Sequence, residues 1–337
     1  MKRFLALCFC LCLLPFSCLA QSAPEILLAG ETHGVKAIMD QELQMWQQCY
    51  HDRGMRHLFL ELPCYTTDYL NLWMQEESDS ILLTLYTDWE GTAYHSADQL
   101  NFLRTIKATC PETIFHGTDV GHQYHSTGAR YLLDLQSHGL ENSALFTKTQ
   151  QRIQQGEQYY ATRDDAYREN MMVQNFVEEL NSLQDQRIMG IYGSAHTTLN
   201  SMNFAGTVSN MATQLQAVYG YAIEVVDLRT TPLSVTTLEV GGKSYTAGYM
   251  GQQELAMVFP QFQHRDFYRL EDAYADFQHC PVTGDVLPYN NYPFPVTQGQ
   301  VFVIDYTLQD GTVQRMLYRA DGQVWNNMFV TQQFLVE

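Results

Sequence analysis

The chain reads as an α/β protein: a mostly parallel five-stranded sheet between helical layers, followed by a β-rich C-terminal addition. Three observations predict this. Between residues 25 and 229, apolar runs alternate with amphipathic stretches, and the runs EILLA, RHLFLEL, TIFH and RIMGIY are continuous. Continuous apolar strands are covered on both faces, as in parallel sheets. Each of these runs also ends in a polar motif: Gly30-Glu31-Thr32-His33, Glu61 in LFLELP, Gly117-Thr118-Asp119, and Gly193-Ser194-Ala195-His196. After Arg229 the pattern changes to short segments separated by Asp-Gly, a hairpin signal.

The elements follow in order. Ile26 to Ala29 is the first strand. Residues 35–53 form an amphipathic helix with Val35, Ile38, Met39, Leu43, Trp46 and Tyr50 on one stripe, ended by Gly54. The second strand, 56–62, is stopped by Pro63. Asp98 caps a helix running to Ala108, and the third strand is 113–118. A helix covers about 129–138, and longer helices occupy 142–185 with a break near Gly156. The fourth strand is 187–193; a helix at 206–219 and a fifth strand at 221–228 complete the unit. Residues 300–330 form a β-meander turning at Asp310-Gly311 and Asp321-Gly322. The linking stretch 259–295 carries many aromatics between Phe259 and Phe294. The expected organisation is therefore a 1–20 leader, an α/β domain at 21–230, and a β-rich appendage at 231–337 that packs beside the strand-end rim and shapes access to it.

The leader is a secretory signal peptide. Lys2 and Arg3 precede an apolar stretch from Phe4 to Phe16, and Cys18-Leu19-Ala20 places small residues for cleavage before Gln21. The stretch is short for a membrane span. A lipidated Cys18 with peripheral membrane association is the alternative, although Pro15 stands where a lipobox carries Leu. The protein is thus expected to be exported, periplasmic or extracellular. Formal net charge is −18, and loss of the two basic leader residues makes it −20. Such an acidic surface repels phosphate backbones and argues against nucleic acid as a partner. Four cysteines remain after the leader: Cys49, Cys64, Cys110 and Cys280. Their spacing matches no zinc module, and none lies in a strand-end motif beside a histidine. They read as buried thiols or one structural bridge.

The four motifs carry the chemistry. In an open α/β sheet the carboxyl ends of the strands share one rim, where ligands bind. Residues as far apart as Glu31 and His196 therefore meet in one cleft. His33 and His196 each close a Gly-x-x-His turn, and neutral imidazole is both a general base and a metal ligand. Glu61 sits between Leu60 and Leu62 in a buried strand and needs a cation, a histidine or a metal nearby. Arg168, on the helix before the fourth strand with Met172 and Asn175 on its face, is the candidate counter-ion. Asp119 is a candidate substrate-binding residue on the rim. His116, His122 and His125 around it are read as solvent-exposed, and Trp89 and His95 as packing residues. No Gly-x-Ser-x-Gly elbow occurs, which disfavours a serine nucleophile and leaves Ser194 a distant alternative.

These residues resemble a superfamily that groups erythromycin esterases, ChaN-like haem-binding lipoproteins, and the TraB and Tiki proteases. GETHG followed by a helix and a strand ending LELP is similar to the opening of the ChaN-like and esterase branches. Residues 168–175, RENMMVQN, look like the family's Arg-Asp-x-x-Met-Ala-x-Asn helix, with Glu169 and Val173 as departures. Gly193 to His196 matches the second Gly-x-x-His turn, and Gly117-Thr118-Asp119 resembles the Gly-x-Asp strand end of the esterase branch. The resemblance covers about 25–229 and implies a site of Glu31, His33, Glu61, Arg168 and His196. In the esterase branch the position of His33 activates water without a metal. In the Tiki branch His33, Glu61 and His196 would hold a divalent metal for proteolysis, and in the ChaN branch haem is bound. The expectation is an exported, esterase-like hydrolase acting on a small molecule or peptide, with no cofactor required. A haem- or metal-binding envelope protein and a Tiki-like metalloprotease are the alternatives.

Overall fold

The computed structural model describes residues 24–256, 259–326 and 328–336. The leader and Cys18 lie outside the described residues. No helix among those described is long and apolar enough to cross a membrane.

The N-terminal part is an α/β unit. Its strands are β1 (Glu25–Glu31), β2 (His57–Leu60), β3 (Ile114–Gly117), β4 (Arg187–Gly193) and β5 (Ile223–Asp227), all parallel, in the order β3-β2-β4-β1-β5. The five-stranded parallel sheet expected from the apolar runs is present. Its helices are α1 (Lys36–Asp52), α2 (Cys64–Gln75), α3 (Ser80–Asp88), α4 (Ala97–Thr109), α5 (Ala129–Ser137), α6 (Ala144–Thr162), α7 (Asp165–Ser182), the single turn α8 (Ser194–Thr197) and α9 (Met211–Tyr219). Alternation along β1 sorts side chains to opposite faces. Leu27 and Ala29 pack with Trp46, Leu60, Tyr65 and Trp73. Ile26 and Leu28 pack with Phe59, Met172, Phe176 and Met211 on the other face. Both faces are dry, so the strands are apolar throughout.

Several boundaries differ from the sequence reading. Helices α2 and α3 arise where none was expected: Pro63, at φ −72° and ψ 153°, starts α2 directly after the strand, and Tyr65, Tyr69, Leu70 and Trp73 bury one face. Ser96, not Asp98, caps α4, its hydroxyl accepting from Gln99 N–H at 3.1 Å. The break in 142–185 falls at Arg163, whose φ is 54°, and Asp164 caps α7. Gly156 lies inside α6, where a Cβ would stand 1.9 Å from the Gly121 carbonyl oxygen; it is a contact point, not a breaker. The segment before α9 is a loop to Asn210 instead of helix from 206.

The C-terminal part holds an antiparallel seven-stranded sheet. It contains β6 (Ser234–Val240), β7 (Lys243–Glu254), β8 (Phe262–Leu270), β9 (Val282–Leu287), β10 (Val301–Leu308), β11 (Val313–Arg319) and β14 (Thr331–Phe334), in the order β6-β7-β8-β10-β11-β14-β9. The Asp310-Gly311 turn joins β10 to β11 as expected. The Asp321-Gly322 turn does not continue the meander. It leads into a two-stranded flap, β12 (Val324–Trp325) with β13 (Met328–Phe329), and β14 supplies the next partner of β11. Phe267, Tyr292 and Phe294 form this part's own core with Phe302 and Ile304. The four cysteines are all free thiols, three of them buried. Burial pushes the thiol of Cys49 up to about 11 and that of Cys64 to about 12, far from a nucleophile's range.

Candidate active site

The strand order places β2, β4 and β1 side by side, and their ends are level. Glu31 pairs with Gly193 across β1 and β4, and Glu61 N–H donates to the Ile191 carbonyl at 3.3 Å. Glu31, His33, Glu61, Gly193 and His196 therefore converge at one rim. They line a cleft of about 510 Å³ together with Arg168. Two glycines are needed there. A Cβ on Gly30 would stand 2.3 Å from Thr197 Oγ1, where α8 crosses the end of β1. A Cβ on Gly193 would crowd His33 Nε2 and Glu61 Oε2 at 3.2 and 3.3 Å.

Glu61 is the centre of the arrangement. Its Oε1 accepts from Arg168 Nη2 at 2.6 Å and its Oε2 from Gly193 N–H at 2.7 Å. His196 Nε2 lies 3.5 Å from Oε1, and His33 Nε2 lies 3.8 Å from Oε2. Burial alone would raise this carboxyl; His196, Arg168 and His33 outweigh it and hold it well below the usual carboxylate range. Arg168 also grips Asp119, Nε to Oδ1 at 3.1 Å and Nη2 to Oδ2 at 2.6 Å.

The two histidines are each backed by a carboxylate but differ in access. His33 gives Nδ1 to Glu31 and leaves Nε2 3.8 Å from Glu61 Oε2; its side chain is 40% exposed and lines the cleft. The bond to Glu31 raises its pKa to about 9 against the opposing effect of burial. His196 gives Nδ1 to Glu169 at 2.8 Å and directs Nε2 at Glu61. Burial works against its charge, but Glu61 and Glu169 raise it to about 10. His196 is thus held as an imidazolium, with both nitrogens occupied. That leaves His196 unable to activate Ser194.

Asp119 has no exposed surface and spends its carboxylate on Arg168, His122 and Val120 N–H, so it anchors the arginine. Two readings of its neighbours are corrected. His122 is not a solvent residue: Nε2 contacts Asp119 Oδ2 at 2.7 Å and Nδ1 contacts Tyr160 Oη at 2.5 Å. His116 is buried lower in the sheet, between Glu179 and His57. His125 alone of the three is exposed. Trp89 and His95 pack as expected, Trp89 buried and His95 stacked on Tyr86.

Two acidic residues escaped the sequence reading. Glu169 orients His196 and accepts from Met211 N–H, tying α7 to the start of α9. Its signal was the acid beside Arg168 on one helix. Glu42, on α1, is buried behind Glu31; burial first, then the Glu31 charge, pushes it well above the carboxylate range. Only its position in a buried helical stripe marked it.

A divalent metal on His33, Glu61 and His196 does not fit. Carboxylate-backed imidazoles suit a ligand set. Glu61, however, has both oxygens engaged, and a guanidinium lies 2.6 Å from the oxygen that faces His196. Among the described residues no three His, Cys, Asp or Glu side chains converge as a ligand group.

No family model and no curated protein matches the chain. Solved structures with partial likeness include a protein from Bacillus cereus, with 11% identity and a TM-score of 0.45 over 61% of this chain and 65% of that one. Another is a histidine-to-asparagine mutant of the erythromycin esterase EreC in its open conformation, with 13% identity and a TM-score of 0.44 over 73% and 82%. A third is a succinoglycan biosynthesis protein, with 10% identity and a TM-score of 0.47 over 66% and 70%.

Proposed function

We propose that the protein is an esterase-like hydrolase in which His33 is the general base. One observation carries this reading: of the two site histidines that line the cleft, His33 is the part-exposed one, with Nδ1 locked by Glu31 and Nε2 not hydrogen-bonded. A carboxylate on Nδ1 fixes the tautomer and raises basicity at Nε2. Nε2 takes a proton from water as the water oxygen attacks the ester carbonyl carbon. The imidazolium of His196 offers positive charge to the developing oxyanion. The C–O bond then breaks, and His33 returns the proton to the leaving alkoxide. Arg168 holds Glu61 ionised between the two histidines. Because the ligand set does not suit a metal, activity is expected to survive exhaustive EDTA.

The pH profile tests the base. His33 is raised to about 9, so its basic form appears only as pH climbs toward that value. The kcat/KM for a neutral p-nitrophenyl ester should rise about tenfold per unit from pH 6 to 8 and level off near 9. Glu31→Gln removes the main cause of the elevation and should move the midpoint down toward the ordinary imidazole value of about 6.5. An unchanged midpoint in that variant would remove His33 from the role.

Export belongs to the same proposal and rests on the leader alone. N-terminal sequencing of the protein recovered from outside the cytoplasm should begin at Gln21. A chain beginning at Met1 would discard the signal peptide, and one beginning at a lipid-modified Cys18 would replace it with an anchor.

A further inference from the structure

The loop between α8 and α9 is built to present one aromatic ring to the cleft. Asn203 N–H donates to the Val208 carbonyl at 2.8 Å, and Gly206 N–H closes the turn on the Asn203 carbonyl at 2.9 Å. Gly206 sits at φ +68°, a conformation that favours glycine. Asn203 Oδ1 accepts from Thr207 N–H at 2.9 Å and Val208 N–H at 3.3 Å. The base of the loop is tied to the catalytic turn: Asn210 Nδ2 donates to the Ala195 and Thr198 carbonyls at 3.0 and 2.7 Å. Phe204 stands at the tip of this braced loop, 88% exposed, and lines the cleft together with Tyr159. An exposed Phe on a mobile loop means little. One held on a hydrogen-bonded turn wired to His196 is pre-organised for a ligand.

A second observation points the same way. Asn203 is 4% exposed and lines the cleft, and its Nδ2 has no hydrogen-bond partner while its Oδ1 is fully engaged. A buried unpaired amide is costly unless an acceptor arrives. The cleft's cations, Arg168, His33 and His196, are already paired with Glu31, Glu61, Asp119 and Glu169, and Asp165 adds a further acid on a chain of net charge −18, which disfavours anionic ligands.

We propose that Phe204 and Asn203 form a recognition subsite for an uncharged substrate, Phe204 packing on its apolar portion and Asn203 Nδ2 donating to its carbonyl or ether oxygen. This names the substrate class of the proposed hydrolase: a neutral ester with a bulky apolar acyl or ring group. It rests on that reading for the chemistry but not for binding.

The full-length mature protein tests it in two arms. In the first, calorimetry measures binding of octanophenone, a neutral ketone that cannot be hydrolysed. The wild type should bind, Phe204→Ala should bind roughly tenfold more weakly, and Asn203→Asp, which keeps the acceptor that braces the turn, should lose severalfold. In the second, the ratio of kcat/KM for p-nitrophenyl octanoate over acetate should fall about tenfold in Phe204→Ala, and the anionic hemisuccinate ester should be the poorest substrate. Failure of the wild type to bind octanophenone, or equal binding by Phe204→Ala, overturns the subsite. Equal binding by Asn203→Asp removes the donor. A wild type that binds through Phe204 yet hydrolyses no ester keeps the subsite and overturns the hydrolase.

Discussion

Arg168→Met is expected to lower stability by about 3–5 kcal/mol, the cost of stranding buried charge when one partner is removed. In the folded protein the Arg168 guanidinium bonds Glu61 and Asp119 at once. Glu61 is 7% exposed and Asp119 fully buried. Methionine fills similar volume but leaves both carboxylates without their shared cation. Asp119 retains His122, and Glu61 retains Gly193 N–H and His196, so the loss falls short of two isolated buried ions. Arg168→Lys should recover part of it, because one ammonium cannot reproduce the fork that serves two carboxylates. Denaturant unfolding at pH 7 measures the difference. A loss under about 1 kcal/mol, the range of an exposed pair, would mean that the network is not what holds the rim together. Activity should fall as well, since Glu61 would no longer be fixed between the two histidines.

His33→Ala is expected to lower kcat/KM on a neutral ester by roughly 10²–10⁴, the usual contribution of a general base. Its stability should fall by about 1–3 kcal/mol, because the buried Glu31 carboxylate loses the imidazole it bonds. His196→Ala should lose activity and still more stability, because His196 is buried between Glu169 and Glu61 and both carboxylates lose it. Retention of activity within a few fold in His33→Ala would transfer the proton chemistry to another group, and the pH midpoint near 9 should then persist in the variant.

Much of the site was legible because its signals are local. A continuous apolar run followed by Gly-x-x-His marks a strand end with a sharp turn, and both halves lie within a dozen residues. Glu31, His33 and His196 fall on one rim by that logic, and Glu61 by the Pro63 that stops its apolar run. Arg168 was found as a counter-ion because a buried Glu61 demanded one. The partners that went unread depend on rotation and crossing. Glu169 neighbours Arg168 in sequence yet serves a different group, because successive residues on a helix point about 100° apart. Glu42 faces Glu31 only because α1 lies against that end of the sheet. His122 looked exposed in a Gly-rich stretch, but the loop folds back onto Asp119 and Tyr160. Of the aromatics in the linking stretch, Phe267, Tyr292 and Phe294 fill the C-terminal part's own core.

By itself, then, the sequence determined the α/β class, the five parallel strands and the four polar strand ends, because apolar periodicity and glycine turns are short-range properties. It also determined the acidic charge. Only the tertiary structure decided the strand order β3-β2-β4-β1-β5, which sets β4 between β1 and β2 and brings Gly193 N–H onto Glu61. Only it decided that the two histidines are unequal: His33 is part-exposed, and His196 is buried between two carboxylates. That difference comes from which carboxylates and how much protein surround each ring: Glu31 from the same strand end for His33, and Glu169 and Glu61 from another helix and another strand for His196.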